Sequence, residues 1–465
     1  MKNCMPGLLA LFAAASLPAA TTVAVTGWSQ NPATSQVTVN YTLTGDPAVV
    51  TLDVCTNGVS IGADNISRVI GDVNRVVRPS AETRTIKWRP DLSWENHLFT
   101  RGEITVKAVA WPQNDPPPYM AVNLACTNGE GVATLVRYYP SAGALPGGVT
   151  NDLWRGEWLL MRRIPAGGRE FVMGTPVTEP FHVSALDRPP TAYDPWVPGS
   201  DGKRNPAQSI RALPETPHVV GFSKDFYMGV FPVTCAQFDY ICNTWDSYGK
   251  SATEGTAYRR WKAPVQEVSW NGLRGEGTWP GAEPTETSSL GKLRARTGLA
   301  FDLPTEAQWE FACRAGTSTS LNNGTEISAT TYAKGSGSAA AAPMRKVMWS
   351  LCYLEAEKQA ASMTGSQTQG FPVGQLAPNA WGLYDMHGNV AEWCLDWVDG
   401  EPLAGDVVDP AGPPSSSINA KALRGGSVMN WSFQCRSGTR MGIYPAFSNG
   451  WLTGFRVVCP ATAVK

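Results

Sequence analysis

The chain has 465 residues, enough for two to four domains. A hydrophobic content of 43% supports ordinary cores, and a net charge of −1 gives no basic field for nucleic acid or an acidic membrane. The 18 tryptophans, with 46 glycines and 36 prolines, point to a loop-rich fold anchored by aromatics rather than long helices.

Residues 1–20 read as a secretory signal. Lys2 gives the positive start, 8–17 the apolar core, and Pro18, Ala19 and Ala20 the small-residue exit. The expected location is secreted, periplasmic or cell-surface, with no membrane span. An oxidising compartment favours paired thiols. Cys4 leaves with the signal. Cys55, Cys126, Cys235, Cys242, Cys313, Cys352, Cys394, Cys435 and Cys459 remain, an odd set, so at least one is free or pairs between chains.

Residues 21–137 carry strand patterning. Val37, Val39, Tyr41 and Leu43 alternate with polar residues, as do Ile104, Val106 and, more weakly, Ala108. Asn57 and Gly58 mark a turn. An all-β immunoglobulin- or fibronectin-like sandwich is expected, with Cys55 and Cys126 as a candidate staple. Residues 138–157, rich in proline, glycine and alanine, read as a linker to a second domain at 158–465.

That domain opens with an expected hairpin, a strand near 159–164 followed by one near 171–174. A strand is expected over 222–230. Thr234 is placed as N-cap of a helix starting near Cys235. Cys235 and Cys242 are ~10 Å apart along that helix, too far to bridge. Thr305 and Gln308 form a capping box for a second helix ended by Gly316, with Trp309, Ala312 and Cys313 on one face.

The densest stretch is 382–397. Gly388 and Asn389 tolerate positive φ, so the chain can turn sharply between Asp385 and Glu392. The carboxylates, with the carbonyls of Gly388 and Val390, offer hard oxygens of the kind calcium takes. The plainer reading is a tight turn with solvated acids. Trp393 and Trp397 would share a face on a helical turn.

Several segments in this order resemble the formylglycine-generating enzyme family, also called sulfatase-modifying-factor domains. They are Ile164-Pro165-Ala166-Gly167, Met173-Gly174, Pro232-Val233-Thr234, Val268-Ser269-Trp270, the run 303–310, the stretch 382–397, Arg424-Gly425-Gly426-Ser427 and Gly454-Phe455-Arg456. The resemblance spans roughly 159–460 and is specific as a set. It implies an α+β, C-type-lectin-like fold with much irregular structure. It further implies a structural calcium held by Asp385, Gly388, Val390 and Glu392, and a Cys313–Cys435 disulfide.

Enzymes of this family oxidise a substrate cysteine with copper and oxygen, and need two cysteines five apart after the Gly-Gly-Ser. A copper(I) ion wants two soft thiolates. Here those positions are Asn430 and Cys435, and Ala391 stands where the family usually has tryptophan, so copper chemistry is disfavoured. If the chain were an oxidase, Cys435 would be its catalytic residue. Iron relatives need a histidine cluster, whereas His97, His182, His218 and His387 are scattered.

The tail also resembles variable proteins diversified by retroelements, which display changeable side chains on a rigid frame. That resemblance implies a ligand face of Met429, Asn430, Trp431, Phe433, Gln434, Met441, Tyr444, Phe447, Asn449 and Trp451, aromatic and adaptable. For any one of these, burial in the core is the competing reading. The expected function is non-catalytic binding of a protein or glycan. A copper-dependent oxidase acting on sulfatase cysteines and an inert surface module are the alternatives.

Overall fold

The computed structural model describes residues 21–95, 97, 99, 102–126, 135–176, 179, 211–243, 261–327, 342–350, 370–399, 406–448 and 453–461. The expected signal at 1–20, Cys352, Asn449 and Trp451 lie outside these residues.

The N-terminal alternation becomes two antiparallel sheets around one core. Thr22–Gln30, Val37–Thr44, Ser80–Trp88 and Val69–Gly71 make the first. Ala48–Thr56 centres the second, pairing with Ile104–Pro112, Val59–Ser60 and Val76–Val77. Val37, Val39, Tyr41 and Leu43 all point inward and are buried, as period-two patterning requires. Asn57 and Gly58 take φ of 51° and 80° and close the Thr56–Val59 hairpin, as a two-residue turn demands.

The boundary expected at 137/138 is corrected. Tyr119–Asn123 and Val136–Tyr139 pair with each other and with Trp158–Ile164, in a five-stranded sheet completed by Phe226–Gly229 and Val458–Pro460. The chain thus enters the second unit before residue 119. Cys126, buried, follows Tyr119–Asn123 in the chain. It forms no bridge to Cys55, whose thiol lies 3.5 Å from Asp53 Oδ2.

Two further expectations change. Trp158–Ile164 and Arg169–Met173 are not a hairpin, because the second strand pairs with His218–Phe222 in another sheet. The strand expected over 222–230 is two, His218–Phe222 and Phe226–Gly229. The helices agree with their punctuation. Cys235–Cys242 starts with a Thr234–Gln237 capping box and Glu306–Arg314 with the Thr305–Gln308 box. The latter ends at Ala315, which takes the left-handed conformation (φ 46°) one residue before Gly316.

The chain is mixed α/β, sheet-rich with few helices. Among the described residues, no helix is long and apolar enough to cross a membrane. The strand Ala391–Val398 pairs with Ala420–Arg424 and, in parallel, with Thr453–Gly454, so the three sequence motifs converge on one sheet.

Candidate functional site

The turn that feeds Ala391–Val398 is built from left-handed residues: Asp385 (φ 56°), Gly388 (85°) and Asn389 (66°). Gly388 has a second reason to be glycine. A Cβ there would stand 1.7 Å from the Trp349 carbonyl oxygen, because Met348–Trp349 pairs with His387–Gly388. The Asn389 side chain then ties the turn to Phe371, accepting its N–H at 2.9 Å and donating to its carbonyl at 3.0 Å. Trp393 and Trp397 lie on a strand, not a helical turn.

Neither carboxylate of the turn is solvated. Glu392 is buried and accepts from Arg456 Nε (3.0 Å), Arg456 Nη2 (2.9 Å) and the Trp309 indole (2.7 Å). Arg456 uses its remaining donors on the carbonyls of Gly229, Val230 and Tyr384. Asp385 is also buried. Its Oδ2 accepts the Gly374 N–H at 2.7 Å, but its Oδ1 has no hydrogen-bond partner. Burial, with Glu392 nearby, pushes its carboxyl up to about 6. An orphaned buried oxygen beside a second carboxylate is a donor set that fits a hard cation. Glu392 Oε1 carries one bond and keeps a lone pair for such a cation.

His387 fills the space beneath this turn. Its Nδ1–H donates to the Cys435 carbonyl at 2.7 Å, and Nε2 accepts the Asn322 N–H at 3.1 Å. Both nitrogens are therefore committed, and burial holds its pKa down to about 4. The Cys313 thiol sits 3.9 Å from Nε2 and 3.7 Å from Ser437 Oγ. The expected Cys313–Cys435 disulfide is absent from the structure, where both residues are thiols. Cys435 Sγ instead approaches the Ser427 carbonyl at 3.8 Å, in space that Gly426 leaves open by lacking a Cβ. Burial raises the Cys313 thiol to about 12, so it is no thiolate at neutral pH.

At the position five before Cys435, Asn430 makes local bonds only. Its Oδ1 accepts from Ser427 N–H (2.8 Å) and Ser427 Oγ (2.9 Å), and its amide donates to Gln434 at 3.3 Å. No soft second ligand stands there.

The expected ligand face is largely corrected. Phe433, Met441 and Phe447 are core residues, and Asn430 and Gln434 are buried in their own turn. Of the described members, Met429 is exposed, and Trp431 and Tyr444 are partly so. Residues that sequence reasoning undervalued are the motif arginines. Arg424 is buried against Glu310 and Glu306, Arg440 is bidentate to Glu306 at 2.7 and 2.8 Å, and Arg436 is bidentate to Glu215 at 2.9 Å. Their signal was position: each follows or lies between glycines in the conspicuous tail.

Comparison with known proteins agrees with this layout. The Sulfatase-modifying factor enzyme 1-like domain matches residues 195–461, more than half of the chain. The chain is 29% identical over 189 residues to the formylglycine-generating enzyme of Bos taurus, covering 39% of each. To that of Streptomyces coelicolor it is 30% identical over 197 residues, covering 42% of this chain and 51% of the other. The chain thus spans about half or less of the length of these curated relatives. Treponema denticola variable protein 1 aligns with 65% of this chain and 95% of its own, at 19% identity and a TM-score of 0.42. The chain belongs to the sulfatase-modifying factor enzyme 1-like family.

Proposed function

We propose that this chain is an exported, non-catalytic member of the family that binds a protein or glycan ligand. The observation that carries the reading is Asn430: where a copper(I) site needs a second thiolate, a hard amide is held by Ser427 and Gln434. A single buried Cys435 cannot supply two sulfur ligands. The recognition surface then consists of what reaches solvent near the tail: Met429, Trp431 and Tyr444, with Asn449 and Trp451 beyond the described residues. The two N-terminal sheets are read as an immunoglobulin- or fibronectin-type spacer that carries this unit.

Calcium belongs to the same proposal. Asp385 and Glu392 side chains, with the Gly388 and Val390 carbonyls, would hold it, and it would satisfy the orphaned Asp385 Oδ1. The resemblance to named formylglycine-generating enzymes favours one second reading, an oxidase using Cys435. The test is incubation with copper and a cysteine-containing sulfatase peptide. No aldehyde is expected, and aldehyde formation sinks the binding-only reading. Screening on glycan and protein arrays, with Met429→Ala and Trp431→Ala beside the parent, should give a hit that both variants weaken. A hit that neither variant changes would remove the surface from the proposal.

A further inference from the structure

The crossing between the two units is built unlike a linker. A boundary segment ordinarily runs exposed and mobile. Here the chain leaves strand Ile104–Pro112 and enters Tyr119–Asn123 through Pro116, Pro117 and Pro118, the first two buried. Consecutive prolines have no N–H to give, so only their carbonyls can bond, and such a run is extended and stiff before anything holds it.

All three carbonyls are taken by donors of the second unit. Pro116 accepts from Arg163 Nη1 at 2.7 Å and Pro117 from the Tyr227 hydroxyl at 2.6 Å. Pro118 accepts from Arg162 Nη1 at 3.0 Å and from the Arg163 N–H at 2.9 Å. Arg163 also pairs with Asp115. A segment that is already stiff loses little entropy on being tied.

Apolar packing reinforces the joint. On strand Ala48–Thr56, Ala48 and Val50 face the core of the sandwich, as a period of two requires. Val49 faces the other way and is buried in the core of the second unit, with Val122, Val136 and Tyr138. Val76 and Trp111 pack against the same core. Arg137 Nη2 adds a bond to the Ser67 carbonyl at 3.0 Å.

The crossing also reaches the turn that carries Asp385. Arg162, which holds Pro118, donates from Nε to the Trp381 carbonyl at 3.1 Å, and its guanidinium lies 5.0 Å from the centre of the Tyr119 ring. Gly382 follows with φ 82°, and a Cβ there would stand 3.3 Å from Tyr119 Oη. One arginine thus touches both the crossing and the turn.

We infer that Pro116–Pro118 is a locking strap: it fixes the sandwich at one angle to the second unit, and through Arg162 it steadies the turn that carries Asp385. The sandwich is then a strut rather than a swinging tether, whatever the second unit binds.

Small-angle scattering and hydrogen exchange on the full chain test the two halves of this inference. Replacing Pro116, Pro117 and Pro118 together by glycine removes the stiffness and keeps every carbonyl. The radius of gyration and the maximum dimension should both rise over the parent. In Arg162→Met, the amides of 119–123 and of Gly382, Leu383 and Tyr384 should exchange about tenfold faster, as the loss of bonds to a charged donor implies. Those of Val37–Thr44 should not change. Pro117→Ala leaves the turn and Arg162 untouched, yet should quicken exchange at 382–384 about two- to fivefold by loosening the strap. That variant decides the matter should Arg162→Met fail to fold. Unchanged dimensions in the triple glycine variant, faster exchange in Arg162→Met on only one side of the arginine, or no change at 382–384 in Pro117→Ala overturns the inference.

Discussion

The two halves of this molecule bury themselves by different physics. The N-terminal sheets enclose Val37, Val39, Val50, Val54, Ile86 and Trp88, and their ion pairs, Arg75 with Asp72 and Arg89 with Asp91, stay at the surface. The second unit puts Arg424, Arg436 and Arg456 inside, each against a buried glutamate. Apolar cores gain from area removed from water and tolerate local error. Buried ion pairs add little net stability, yet losing one partner leaves an uncompensated charge. The second unit should thus be far more sensitive to single polar substitutions.

The sharpest way to break that contrast is Arg456→Ala. It strips Glu392 of both guanidinium bonds and takes a donor from each of the Gly229, Val230 and Tyr384 carbonyls. A loss of about 3–5 kcal/mol is expected in denaturant unfolding. Arg75→Ala, in the N-terminal pair, should move the midpoint far less. Equal shifts would mean that the arginine lattice is not what holds the second unit.

Acidity sharpens the contrast next. His387 is kept neutral when folded, its pKa lowered from 6.5 to about 4 by burial. It contributes stability above pH 6.5 that is lost as pH falls toward 4, roughly 3 kcal/mol. Asp385 acts with the opposite sign. Burial raises it from 3.8 to about 6, so its contribution is present below pH 3.8 and lost as pH rises through 6. Asp396, raised to about 7 by burial and Glu306, has the same sign as Asp385. Two raised carboxyls against one lowered imidazole should make the parent lose stability as pH rises from 4 to 6. Asp385→Asn should bring that stretch close to flat, and His387→Gln should steepen the loss. Calcium, if it binds, should raise the melting temperature of the parent and not of Asp385→Asn.

What the sequence disclosed follows from how local each signal is. Thr234, Gln237, Thr305 and Gln308 act within four residues, so both helix starts were legible. The alternation at 37–43 needs only a period of two. The same local logic misled elsewhere. Trp393 and Trp397, four apart, share a face on a helix and on a strand alike, so their spacing could not choose. Nothing in the pattern at 119–123 says which sheet it joins, because register partners lie far along the chain. Phe433, in a single helical turn, and Met441, on the four-residue strand Arg440–Ile443 buried throughout, looked like a display because neither run is long enough for a periodicity that reveals an inside. Buried arginines were hidden for a plainer reason: an arginine is ordinarily an outside residue.

A smaller test addresses the helix that carries Glu306 and Glu310. Thr305 Oγ1 accepts the Gln308 N–H at 3.2 Å, and Gln308 returns a bond to Thr305 N–H at 3.0 Å. Thr305→Ala should cost about 0.5–2 kcal/mol. A cost well above that range would show the cap coupled to the ion pairs of Glu306, and would enlarge the difference between the two units. The double substitution Thr305→Ala with Arg440→Met measures that coupling directly.

The smallest effect is expected where packing is purely apolar. Ile86 is fully buried, on the strand Ser80–Trp88, opposite Val39. Ile86→Val removes one methylene and leaves the β-branched shape, so the strand conformation is unaffected. Neighbours such as Tyr41 and Val50 can close part of the gap, and about 0.5–1.5 kcal/mol should be lost. The loss should not depend on pH between 4 and 8, because no titrating bond is touched. A pH-dependent loss would mean that the N-terminal core leans on buried charge after all, through Tyr41 and its bond to the Asp72 carbonyl, and the division between the two halves would fail on the side where it looked safest.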